Sequence, residues 1–186
     1  DRMPSRGLGD VYKRQIAKRI DVDGVRVTGV SNASKLVITY RLLAAEMTCR
    51  ANHLDSTHVH IMPPYTWMLP TRGVEENRID GQHIVKLIAP KEWHTATQLE
   101  GKEGSWVANG RDEFLDAIME SNSNEMITFD VMGTKQHLKL WDSGGLPIPE
   151  KGLNRLIEAM KLIIEEHFAL FGVPDWKDYW TVLHFT

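Results

Sequence analysis

The clearest periodicity of apolar positions lies near the carboxyl end of the chain. Between Glu150 and Leu170, the residues Leu153, Leu156, Ile157, Met160, Ile163, Ile164 and Phe168 recur at steps of three and four, which is the spacing of one helix face. Pro149 stands near the first turn, and Gly172 and Pro174 follow the last. These are start and stop signals for a helix over 150–170. Before it, Met126–Val131 and Gln136–Trp141 flank Gly133-Thr134 and predict a hairpin. Ile127, Phe129 and Val131 face inward on one arm, Leu138 and Leu140 on the other. Residues 112–121 place Phe114, Leu115, Ile118 and Met119 on one stripe and predict a second helix, ended by Ser121-Asn122-Ser123-Asn124. The aromatic and β-branched tail Tyr179–Phe185 predicts a last strand.

The first half reads as strands. Val25, Val27 and Val30 form one strand region, followed by turn residues 31–34. Leu36–Tyr40 predicts a strand, and residues 42–51 fit either its continuation or a short helix. Residues 57–62 alternate and are stopped by Pro63-Pro64, which cannot donate to a sheet ladder. Residues 63–82 form the longest loop candidate, 83–89 a strand stopped by Pro90, 91–104 a polar return, and 105–108 a short strand. Strands followed by helix, hairpin and helix predict an α+β domain: an antiparallel sheet with the two helices (about 112–121 and 150–170) packed on one face.

Composition narrows the class. The chain has 186 residues, 42% hydrophobic and 25% charged, with a formal net charge of −3. That is enough chain to bury a core, and the balance argues against a nucleic-acid binder. No apolar run reaches membrane-spanning length. Cys49 is the single cysteine, so no disulfide forms within this sequence. Residues 10–15, Asp-Val-Tyr-Lys-Arg-Gln, can be encoded by GAT GTG TAT AAG AGA CAG, a string that resembles a sequencing adaptor. The expected organisation is therefore a non-native segment over 1–15 and one α+β domain over 16–186, truncated at its amino end.

The best candidate for chemistry is the stretch 52–60, Asn-His-Leu-Asp-Ser-Thr-His-Val-His. On a strand, His58 and His60 project from one face. With His53 or Asp55 nearby they could hold zinc or a similar divalent ion. The same pair also fits two polar residues on the solvent face of a half-buried strand, and the spacing alone favours that reading. The string resembles the His-x-His strand of metal-dependent amidohydrolases. However, their barrel takes about 250 residues, and no later His and Asp motifs follow here. The cupin pattern fails too, because no Glu follows His60 at the expected spacing. Among the six tryptophans, Trp67, Trp93, Trp176 and Trp180 are candidates for a ligand-binding surface. His83, His94, His137, His167 and His184 are scattered and point to nothing shared.

Residues 105–161 run short strand, helix, hairpin, Gly145-Leu146 and helix. In that order they resemble the carboxyl-terminal part of the invasion-associated locus B family of periplasmic proteins. The resemblance implies a periplasmic or secreted, non-enzymatic protein. The paired cysteines of that family have no counterpart here, and no functional residue transfers. The reading from sequence is a soluble binding or accessory protein with no catalytic constellation and no cofactor. The alternatives are a metal-binding protein or metal-dependent hydrolase using His58 and His60, and a subunit of a homo-oligomer or larger assembly with a protein partner.

Overall fold

Two segments of chain form separate clusters of contacts, residues 1–41 and residues 42–186. The computed structural model describes residues 16–20, 24–29, 35–48, 51–72, 77–78, 81–102, 104–145 and 148–186. The adaptor-like segment 1–15, Val30 with the turn at 31–34, and Cys49 lie outside the described residues. In the first unit, β1 (Ile16–Arg19) pairs antiparallel with β2 (Val25–Thr28).

The second unit carries the remaining elements. In chain order they are β3 (His53–Leu54), β4 (His58–Ile61), a 3-10 turn at Pro63–Tyr65, β5 (Thr71–Arg72) and β6 (Asn77–Arg78). Then come β7 (His83–Lys86), β8 (His94–Ala96), β9 (Glu100–Lys102), β10 (Ser105–Ala108), α1 (Arg111–Asp116) and β11 (Met119–Asn122). The chain ends with β12 (Ile127–Val131), β13 (Thr134–Asp142), α2 (Glu150–Phe171) and β14 (Asp178–Phe185). The sheet orders are β3-β4-β11-β8, β7-β10-β9 and β12-β13-β14, with β5 and β6 as a small pair.

The fold is α+β with mostly antiparallel pairing, as the order of elements predicts. The hairpin, the long helix, the strand at 105–108 and the final strand all form. The β12–β13 loop is Met132-Gly133, both at positive φ, 51° and 83°, the conformation of a tight two-residue hairpin turn. One pair departs from the antiparallel expectation: β14 runs parallel to β13, from Lys135↔Asp178 to Asp142↔Phe185. A parallel neighbour requires a crossover, and α2 supplies it.

Four local readings are corrected. Leu36–Tyr40 and 42–48 are irregular apart from a single bridge, Ala45↔His53. The loop region 63–82 contains the 3-10 turn and the β5–β6 pair. The polar stretch 91–104 holds β8 and β9. The helix expected over 112–121 stops at Asp116, because Ala117 turns to φ −83°, ψ 85°, and Met119–Asn122 continue as a strand. The two helices also contact different sheets rather than one face: α1 lies against β10 and α2 against β12.

The main apolar core joins Ile61 of β4, Val85 of β7, Trp106 and Ala108 of β10, Phe114 of α1 and Met119 of β11. Met119 pairs with Ile61, so one face of the β4–β11 pair supports this core. The opposite face carries the residues of interest. By contrast, α2 buries only Phe168, while Leu162, Ile163, Leu170 and Phe171 are exposed.

Candidate metal centre

Alternation along β4 puts His58 and His60 on one face. The register Asn122↔His58 and Glu120↔His60 puts Glu120 and Asn122 of β11 on the same face. His58, Glu120 and Asn122 are essentially inaccessible, at 0%, 0% and 1% exposure, and His60 reaches only 7%. The solvent-face reading of the two histidines is therefore corrected. β13 and β14 bring Trp141 and His184 to the same place, as register partners.

Glu120 is the hub. Its Oε1 lies 2.9 Å from Nδ1 of His58, and its Oε2 lies 3.1 Å from Nδ1 of His60 and 3.0 Å from Nε2 of His184. The amide of Asn122 donates to Oε1 at 3.0 Å and to the carbonyl of Leu140 at 3.2 Å. Burial alone would push the Glu120 carboxyl up. Hydrogen bonds from His184, His58 and His60 outweigh that and hold it well below the usual carboxylate range.

The Trp141 indole stacks on His58, with ring centres 3.7 Å apart and planes 11° from parallel. Its Nε1–H donates to Thr57 Oγ1 at 2.9 Å. His184 meets His58 and His60 edge-on, at 5.3 and 4.8 Å between ring centres. The buried Lys139 amino group donates to the carbonyls of Asn122, at 3.4 Å, and Asn124. Burial pushes it down to about 8, partly opposed by the charges of Glu120 and Glu125.

His53 lies outside this hub. Its Nδ1 is 2.6 Å from Nε2 of His58. Asp55, in the turn before β4, accepts on Oδ1 from Thr57 N at 2.6 Å, Thr57 Oγ1 at 2.7 Å and His58 N at 3.0 Å. Burial would raise the Asp55 carboxyl, but these bonds from Thr57 and His58 lower it overall; burial and the neighbouring charge of His58 lower His53. Among the described residues, two groups of donors converge closely enough to hold an ion, His58–Glu120–His184 and His53–Asp55–His58, each with its ligand atoms within 4.8 Å of one another. His60 belongs to neither group. The expected quartet of His58, His60, His53 and Asp55 is thus divided, with His58 common to both.

The four tryptophans occupy different surroundings. Trp67 packs on Phe114 beside the core, and Trp93 is half-buried before β8. Trp176 lies against Phe168 and Tyr179 on the α2 side. Trp180 stacks on His137, whose Nε2 is 2.8 Å from Asp178. Trp180 also lines a cavity of about 460 Å³ with Met47, Met62 and Ile118, and His60 and His184 stand in its wall.

Glu120 and His184 escaped the sequence reading. The sequence does contain H-x-H, but its carboxylate partner is 60 residues away, on a strand read as the end of a helix.

A core-backed sheet of this order, flanked by a buried His–Glu hub, can be compared with known domains. The profile of the peptidase M61 N-terminal domain matches residues 13–119. The chain belongs to this family. An aminopeptidase N family protein from Idiomarina loihiensis has a similar fold, with a TM-score of 0.59 at 20% identity over 74% of this chain. The chain spans 23% of that protein's length. No curated protein matches the chain. The M61 match covers His53, Asp55, His58 and His60 and ends at Met119, one residue before Glu120. The expectation of a binding or accessory protein without a catalytic constellation is overturned by this membership and by the buried His–Glu group. The family shown is the M61 N-terminal domain, and the resemblance of 105–161 to the invasion-associated locus B family carries nothing further. Among the described residues, no helix is long and apolar enough to cross a membrane.

Proposed function

We propose that this chain is the amino-terminal part of a metal-dependent peptidase and that His58, Glu120 and His184 hold a divalent ion of the zinc class. The observation that carries this reading is the fully buried Glu120 carboxylate, set between imidazoles contributed by separate strands. Zinc takes nitrogen and oxygen ligands at roughly 2.0–2.2 Å in tetrahedral array, so two donors lie about 3.4 Å apart. The Glu120 contacts to His58 and His184, at 2.9 and 3.0 Å, are hydrogen-bond distances, and those donors would part by about 0.4–0.5 Å to hold the ion. The donor set fits the ion, which would take the place of the protons now between those atoms. The helical signature H-E-x-x-H, in which two histidines one turn apart bind zinc, does not occur in this sequence. The donors here come from three strands instead.

The surrounding residues then have definite tasks. Asn122 orients Glu120 through Oε1, and Trp141 fixes the plane of His58, the kind of support that keeps metal ligands aligned. His60 holds the second carboxylate oxygen in place. The cavity walled by His60 and His184 gives access for an apolar ligand group. A bound ion would supply Lewis acidity, polarising a carbonyl or acidifying a bound water.

The test is the zinc retained by the purified chain after dialysis, measured by mass spectrometry. Glu120→Gln and His184→Ala are each expected to retain about one equivalent less than wild type. Zinc at a hundredfold its Kd should raise wild-type stability by about 2.7 kcal/mol. A folded wild-type chain that retains no zinc, or variants that retain as much as wild type, would overturn the reading.

A further inference from the structure

We propose a second divalent-cation site, formed by His53, Asp55 and His58 at the outer edge of the same group. The inner ion rests on the reading above; the outer site rests on its own geometry. The ligand atoms of the three residues lie within 4.8 Å of one another. The two ring nitrogens of His58 face different groups: Nδ1 meets Glu120 at 2.9 Å, and Nε2 meets His53 Nδ1 at 2.6 Å. One imidazole can therefore serve both sites, but with both ions bound His58 is an imidazolate: its remaining ring proton passes to solvent so that each nitrogen offers a lone pair to one ion.

Two imidazole nitrogens facing each other at 2.6 Å need a positive centre between them, either a proton or a cation. With zinc-class bonds of roughly 2.0–2.1 Å, a tetrahedral pair of nitrogens sits about 3.3 Å apart. The rings need to part by about 0.7 Å to accept the ion. His53, half-buried on the two-residue strand β3, is the ring placed to move, while His58 is clamped by Trp141. To ligate through Nδ1, His53 would carry its proton on Nε2.

Asp55 supplies the charge. Its Oδ1 already accepts three hydrogen bonds from Thr57 and His58. These fix the carboxylate and leave its second oxygen for the ion. Thr57 Oγ1 also accepts from the indole of Trp141, so one hydroxyl ties the Asp55 carboxylate to the ring stacked on His58. Asp55 is exposed and His53 half-buried, whereas His58 and Glu120 are buried. The outer site therefore has an entry path from solvent that leaves the core closed, a requirement of any real metal site.

The experiment is equilibrium dialysis of the full chain against zinc, with bound metal measured directly and folding checked by circular dichroism. Wild type should bind two ions. His53→Ala and Asp55→Asn should each bind one, and Asp55→Asn keeps an acceptor for the turn, so it tests charge rather than folding. Glu120→Gln should also bind one. Binding that falls with Asp55→Asn but not with Glu120→Gln would support the outer site and overturn the inner one. Binding unchanged by both His53→Ala and Asp55→Asn would overturn the outer site, whatever Glu120→Gln does.

Discussion

Glu120 decides the chemistry at the scale of single residues. A carboxylate with no solvent contact costs several kcal/mol unless its oxygens are matched. Here three imidazoles and one amide match them. The folded carboxyl is held below the 4.5 of an ordinary glutamate. Above about that pH both folded and unfolded chains are ionised, and the full stabilisation is present. As pH falls further, the unfolded chain takes up the proton first, so stability is lost with falling pH. Thermal midpoints measured from pH 7 to pH 3 should drop more steeply for wild type than for Glu120→Gln. Equal slopes would remove Glu120 as a source of acid sensitivity. The sequence hid this residue because Met119-Glu120-Ser121-Asn122 is buried at every position. A strand covered on both faces has no polar–apolar alternation to detect.

Elements with one clear face were legible, and those without were not. Gln136–Trp141 and the 150–170 pattern appeared because their apolar spacing matches the strand and helix periods. Met119 continued the stripe of Phe114, Leu115 and Ile118, so β11 was read into α1. β8 and β9 carry too few apolar residues over three positions each to show a period. Their geometry still constrains the sequence. Gly101 of β9 pairs with Trp106 of β10. A Cβ at Gly101 would fall 2.4 Å from Ser105 O and 2.7 Å from Trp106 Cα, both backbone atoms that cannot step aside. Gly101→Ala should therefore destabilise by about 1–3 kcal/mol. Gly152 lies inside α2 with nothing within 4 Å of its added Cβ, so Gly152→Ala should stabilise by up to about 1 kcal/mol. Urea unfolding of the two variants checks both, and equal signs would contradict the packing described for β9.

At the scale of the whole molecule, the site is a product of topology. His58 and His60 come from β4, Glu120 from β11, and His184 from β14, which α2 returns parallel to β13. The H-x-H pattern was legible because both donors sit on one short strand. The carboxylate and the third imidazole were not, since 62 residues separate Glu120 from His58 and 64 separate it from His184. Only the sheet order brings them together. The family match supplies the peptidase context, and the metal reading depends on the geometry of these strands. The most direct test is a crystal structure of the zinc-loaded chain with data collected at the zinc absorption edge. An anomalous peak is expected within bonding distance of His58, Glu120 and His184. Zinc-loaded crystals with no peak there, and with the histidines still hydrogen-bonded to Glu120, would contradict the metal reading.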